Sequence, residues 1–177
     1  MAVSRRGRPV RRRGERAHDL ARHRPHTEET AMRFMIIVPA TADSEQGSTG
    51  TEQQFADMQA YNEEMLRAGV FVDGQGLHPT GKGARVTWQD GDWAVTDGPF
   101  AETKELIAGF TIIDVSSREE ALEWLRKWPV SCVPDPGQAL ELRQVYAPED
   151  FGDEFTPELR EREEQMRAEA ARNAAQG

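Results

Sequence analysis

Two stretches of this chain stand out as strands, Arg33–Val38 and Gly109–Val115, each preceding a segment patterned for a helix, and the first is apolar at every position after Arg33. A continuous apolar run of that length predicts a strand covered on both faces. After the first run, Thr41–Gly50 is polar and glycine-rich and reads as a loop. Thr51 with Gln54 forms a capping-box start, Phe55, Met58, Tyr61, Met65 and Leu66 recur at helical spacing, and Gly69 supplies a stop. Val70–Val72 and Leu77 predict a second strand interrupted by Gly74 and Gly76. Ala84–Gln89 and Trp93–Thr96 flank Asp90-Gly91-Asp92, a hairpin signal. After the second stretch, Ser117 with Glu120 caps a helix carrying Ala121, Leu122, Leu125 and Trp128, which Pro129 ends. A Pro-rich loop around Cys132 leads to a last strand over Ala139–Tyr146.

Two successive strand–helix–strand units with an extra hairpin predict an α+β fold of ferredoxin-like βαββαβ plan, its helices on one face of the sheet. The other face would be bare. It cannot be polar throughout, because both alternating sets of the first strand are apolar and Phe110 and Ile112 oppose Thr111, Ile113 and Val115. A second copy of the same sheet is the simplest cover, so a homodimer is expected. At roughly 25 cal/mol per Å² of apolar area, an interface near 800 Å² per partner could hold such a pair. The predicted domain covers residues 32–147. Residues 148–177 form a C-terminal extension, where Thr156-Pro157 opens a charged helix. That helix is either solvated and held by charge pairs or a dimer clamp anchored by Phe151 and Phe155.

Charge divides the chain unevenly. Nine Arg against Glu15, Asp19, Glu28 and Glu29 give Met1–Ala31 a charge of +5; with the whole at −9, the remaining residues carry −14. An acidic body of this kind disfavours nucleic acid. The Arg-rich residues 1–31 are expected to be a disordered leader, with Met32, where the first apolar run begins, as the alternative start; they offer no aromatic residue to stack on bases. No apolar h-region follows the arginines, so a secretory signal is not expected. Cys132 is the single cysteine, which excludes an intrachain disulfide and points to a reducing compartment. No apolar stretch approaches about 18 residues, so no membrane span is expected. A cytoplasmic location follows as an expectation.

Ionisable groups crowd around one turn. Val95–Phe110 reads V-T-D-G-P-F-A-E-T-K-E-L-I-A-G-F, a strand, an Asp97-Gly98-Pro99 turn, and the charged set Glu102, Lys104 and Glu105. Asp97 before Gly-Pro either bonds its own downstream backbone or holds a carboxylate toward a cleft. Glu102, Lys104 and Glu105 are either a surface ion-pair set or, in a cleft, groups able to polarise a carbonyl or move a proton. His78 is the one histidine within residues 32–147, and because imidazole is the side chain type whose ordinary charge change falls near neutrality it is the acid–base candidate, with Asp97 or Glu102 able to orient its ring. Lys82 and Arg85 could hold a small anion. Gly76–Lys82 spells G-x-x-x-x-G-K, yet Gly83 follows where a phosphate loop needs Ser or Thr. No second His or Cys stands at ligand spacing, so neither a metal nor another cofactor is expected. Cys132 reads as a packed thiol, and the four Trp as core or hairpin packing.

The segment around Asp97-Gly98-Pro99-Phe100 resembles the signature of the YCII-related family, known by its D-G-P-F motif. Gly76-Leu-His-Pro79, Gly81-Lys-Gly-Ala-Arg-Val86, Glu149-Asp-Phe-Gly152 and Thr156-Pro-Glu-Leu-Arg160 extend the resemblance over about Met32–Arg167. The resemblance implies a dimeric ferredoxin-like domain, of the dimeric α+β barrel type, with a cleft beside the sheet and no settled general substrate. It also implies, for some members, a gene neighbourhood shared with extracytoplasmic-function sigma factors. Two functions are thus expected in competition. One is a small-molecule site with acid–base groups His78, Asp97 and Lys104 and ligand contacts Lys82, Arg85, Glu102 and Glu105. The other is a non-catalytic accessory protein working beside a sigma factor.

Overall fold

The computed structural model describes residues 31–101, 105–133, 135 and 137–174. The expected leader therefore lies outside the described residues apart from Ala31, as do Glu102 and Lys104. Four strands, β1 (Met32–Pro39), β2 (Phe71–Gly76), β5 (Ile107–Val115) and β6 (Glu141–Gln144), form an antiparallel sheet in the order β2-β5-β1-β6. β3 (Ala84–Gln89) and β4 (Asp92–Asp97) pair only with each other, as an arm inserted between β2 and β5. Helices α2 (Glu52–Ala68) and α3 (Arg118–Arg126) make the two crossovers. This order, with the first strand central, is compatible with the ferredoxin-like plan.

The alternation of side chains assigns the two faces. On β5, Gly109, Thr111, Ile113 and Val115 are buried and the residues between them only partly so. Cross-strand register puts Ile113 opposite Phe34 and Thr111 opposite Ile36, so these share the helix side. There Phe34, Ile36, Ile113 and Val115 meet Tyr61 and Met65 of α2 and Ala121 and Trp124 of α3 in one cluster. Each fully buried large side chain stabilises the fold by roughly 1.5–3 kcal/mol. The opposite, open face carries Met35 and Ile37 beside Ile112 and Phe110, with the Arg33–Asp114 ion pair at one end (3.5 Å).

Both caps expected of the long helices form. Thr51 accepts from Gln54 N–H while the Gln54 side chain accepts from Thr51 N–H, and Gly69 ends α2 in the left-handed region at φ 75°. Ser117 caps α3 at Glu120 N–H. The apolar stripe of α2 is narrower than the spacing suggested, since Phe55 and Leu66 are exposed. The stretch Thr41–Gly50 is not all loop: Thr41 and Ser44 cap a single-turn helix, α1 (Ala42–Glu45). β2 runs unbroken through Gly74, because Gly109 on β5 lets its backbone come close; a β-carbon there would stand 2.7 Å from Gln75 O.

The open face is not left wholly to solvent. After β6 the chain turns back through Tyr146, Phe151 and Phe155 before the charged helix α4 (Pro157–Ala174). α4 buries no residue, and ion pairs such as Glu163–Arg167 (2.9 Å) run along it.

Candidate functional site

The arm leaves the sheet through a short loop that gathers the ionisable residues. From Leu77 the backbone passes His78 and Pro79 into one turn of 3-10 helix, Thr80–Lys82, and then directly into β3. No long helix follows the G-x-x-x-x-G-K string, so the phosphate-loop arrangement is absent here. Asp90 (φ 53°) and Gly91 (φ 88°) form the two-residue turn between Gln89 and Asp92, as a D-G pair prefers in a tight hairpin.

On returning from β4, the D-G-P-F segment packs against the loop that opened the arm. Gly98 N–H donates to Gly83 O (3.0 Å), and Phe100 N–H donates to Thr80 Oγ1 (3.2 Å). Gly98 is required by space rather than by φ: a β-carbon would stand 1.8 Å from Thr80 O. The Gly98–Pro99 peptide is cis. The Arg85 guanidinium lies 4.1 Å from the centroid of the Phe100 ring, a cation–π stack. The two motifs are thus one structural unit at the base of the arm.

Glu45 braces that unit from α1. Its carboxylate accepts from Thr80 Oγ1 (2.6 Å) and Thr80 N–H (3.1 Å), across 35 residues of sequence. Glu45 and Thr80 were not singled out from the sequence, and Phe100 entered only as the last residue of the D-G-P-F motif. The one available signal was the Thr41–Ser44 capping pattern, which marks the helical turn that presents Glu45.

Beside the unit lies a cavity of about 400 Å³ lined in part by His78, Lys82, Arg85, Phe100 and Glu105. Four of the seven residues expected at a site are therefore brought together. Its charged lining sets Lys82 and Arg85 against Glu105 with His78 beside them. Glu102 and Lys104 fall outside the described residues. Asp97 is exposed and is not part of the cavity wall. Its register partner is Ala84, whereas Arg85 pairs with Thr96, so alternation sets Asp97 and Arg85 on opposite faces of the arm. The Asp97 carboxylate makes no hydrogen bond to the described residues, and the turn rests on the Gly98–Gly83 and Phe100–Thr80 bonds.

The remaining chemistry-bearing side chains are packed ones. Cys132 donates its thiol to Gln54 O (3.4 Å), and its own carbonyl accepts from Trp128 Nε1 (3.0 Å). Trp124 and Trp128 belong to the core, while Trp88 and Trp93 stack edge-on across the arm. Among the described residues no three His, Cys, Asp or Glu side chains group as metal ligands, and no helix is long and apolar enough to cross a membrane.

Residues 32–132 match the model of the YCII-related domain. Over 75 residues, 42% of its length, the chain is 39% identical to an uncharacterized protein of Rhizobium meliloti (strain 1021). The match spans 60% of that relative's length.

Proposed function

The chain belongs to the YCII-related domain family, and from that premise we propose that it binds a small organic anion in the cavity at the base of the arm. The carrying observation is that His78, Lys82, Arg85 and Glu105 line one cavity although they span 28 positions of sequence. In this role Lys82 and Arg85 hold the anionic group, a carboxylate being the simplest, and His78 exchanges a proton with the bound molecule, with Glu105 as its charge partner. Thr80, fixed by Glu45, keeps the loop in place when the cavity fills.

The test is a panel of small aliphatic and aromatic carboxylates followed by amide NMR shifts. Shifts are expected to cluster at residues 77–85 and Phe100, with affinity reduced at least tenfold in His78→Ala and Lys82→Ala. Asp97→Ala, on the other face, is expected to stay within twofold. Absence of such shifts at millimolar concentration, or their survival in both cavity variants, refutes the assignment.

A homodimer belongs to the same proposal. It is supported by apolar surface that the single chain leaves uncovered, namely Val86, Trp88, Trp93 and Val95 on one face of the arm, each more than half exposed. A monomeric mass by sedimentation at micromolar concentration counts against it. The alternative, an accessory protein acting with an extracytoplasmic-function sigma factor, draws on the acidic surface and the charged helix α4 rather than on the cavity. Capture of a sigma factor by the unaltered chain but not by a chain truncated after Tyr146 favours it.

A further inference from the structure

A second and larger cavity, of about 550 Å³, lies where the C-terminal extension folds over the open face of the sheet, and it shares no lining residue with the first. One wall is the sheet itself, Met35 and Ile37. The other is aromatic. Tyr146 and Phe151 stack at 5.2 Å with their planes 27° apart, and Phe155 lies 5.2 Å beyond Phe151. These rings are held in position without being covered, for Tyr146 is 70% and Phe151 45% exposed.

The wall is fixed by an uncommon device. The guanidinium of Arg160 donates to three backbone carbonyls of the turn, Pro148 O (2.6 Å), Phe155 O (3.0 Å) and Phe151 O (3.2 Å). Asp150 adds a bond from Ala147 N–H (2.7 Å). Carbonyls left over around the single 3-10 turn Pro148–Asp150 are thus gathered onto one side chain, which holds the segment together as an aromatic panel. A volume of this size, apolar walls and a few charged groups are what a small-molecule site requires. The charged residues in the lining are Arg143, Glu163 and Arg167, a net positive set. Arg143 stands opposite Met35 in the sheet register and so at the same mouth.

We propose that this cavity is a second ligand site, taking a planar aromatic molecule that carries one anionic group. The rings slide against the panel and the sheet residues, while Arg143 and Arg167 meet the anion at the mouth in place of their present carboxylate partners, Glu141 (3.6 Å) and Glu163 (2.9 Å).

8-Anilinonaphthalene-1-sulfonate has this chemistry, and N-phenyl-1-naphthylamine is its uncharged counterpart. In fluorescence titrations of the full chain, the sulfonate is expected to saturate one site per chain, with affinity lowered at least tenfold by Phe151→Ala. Arg143→Gln and Arg167→Gln are expected to weaken the sulfonate at least threefold and leave the uncharged probe unchanged. His78→Ala is expected to alter neither, which separates this site from the one at the base of the arm. Should Phe151→Ala lose the far-ultraviolet circular dichroism of the unaltered chain, Ile37→Trp, which fills the cavity from the sheet side, takes its place. Binding that survives the folded cavity variant, that is abolished by Trp88→Ser/Trp93→Ser, or that never saturates overturns the proposal.

Discussion

At Gly98 a β-carbon would stand 1.8 Å from the Thr80 carbonyl oxygen and 2.6 Å from its carbon, both backbone atoms that cannot rotate away. Gly98→Ala must therefore part the two turns, at the cost of the Gly98–Gly83 and Phe100–Thr80 bonds. We expect a loss of about 1–3 kcal/mol in urea unfolding, the range of overpacked sites, together with loss of carboxylate binding at the arm's base. Gly81→Ala, with nothing within 4 Å of its β-carbon, is the matched control and should stay within about 0.5 kcal/mol. Tyr61 makes a separate point on the core side. Burial, with the Glu64 charge adding to it, pushes its phenol from 10.0 up to about 12, while its hydroxyl donates to Trp124 O at 3.0 Å. The unfolded chain ionises first, so the stability from neutral Tyr61 is fully present below pH 10 and is lost as pH rises toward 12. Tyr61→Phe should remove that part of the alkaline loss. At neutral pH it should cost only about 0.5–1.5 kcal/mol, because Trp124 O keeps the Lys127 N–H. Urea midpoints of both proteins at pH 7 and pH 11 test the difference.

Among the described elements, the arm lines its exposed apolar residues up on one face. A lone two-stranded hairpin is marginal in water, and this one lines up Val86 with Val95 and Trp88 with Trp93 on a single face. The two indoles touch each other, with ring centroids 5.1 Å apart, yet remain 61% and 63% exposed. Replacing both by Thr keeps strand propensity and removes the surface. The expected outcome is at least a tenfold rise in the dimer dissociation constant by sedimentation velocity, with little change in the unfolding midpoint of the sheet. An unmoved association equilibrium would exclude the arm from the interface. The strands and long helices were legible in the sequence because each carries its own period and its own cap. α1 was not, since one turn has no periodicity to detect. β2 was seen only in pieces, because its pairing is permitted by Gly109, a residue more than thirty positions away.

For the molecule as a whole, the α+β order followed from two repeated strand–helix–strand units, but the destination of the tail did not. Its charges predicted a helix, either solvated or a dimer clamp; α4 forms and buries no residue within the single chain, whereas the return of Tyr146, Phe151 and Phe155 to the sheet depends on contacts that no local pattern encodes. The charged residues at the arm's base were legible by type and not by company. Asp97 was grouped with them by nearness in sequence, and the two-residue period of β4 turns it to the other side. Glu45, distant in sequence, is the carboxylate that holds the loop. The register also pairs Gly76 with Gly109, so the departure and return points of the arm lie next to each other across two neighbouring strands. Residues 77–106 are then a detour closed at its neck, and lengthening or shortening such a detour changes its closure entropy only logarithmically. The loop and arm on this scaffold can thus be rewritten residue by residue, or resized outright, while the four main strands keep their partners.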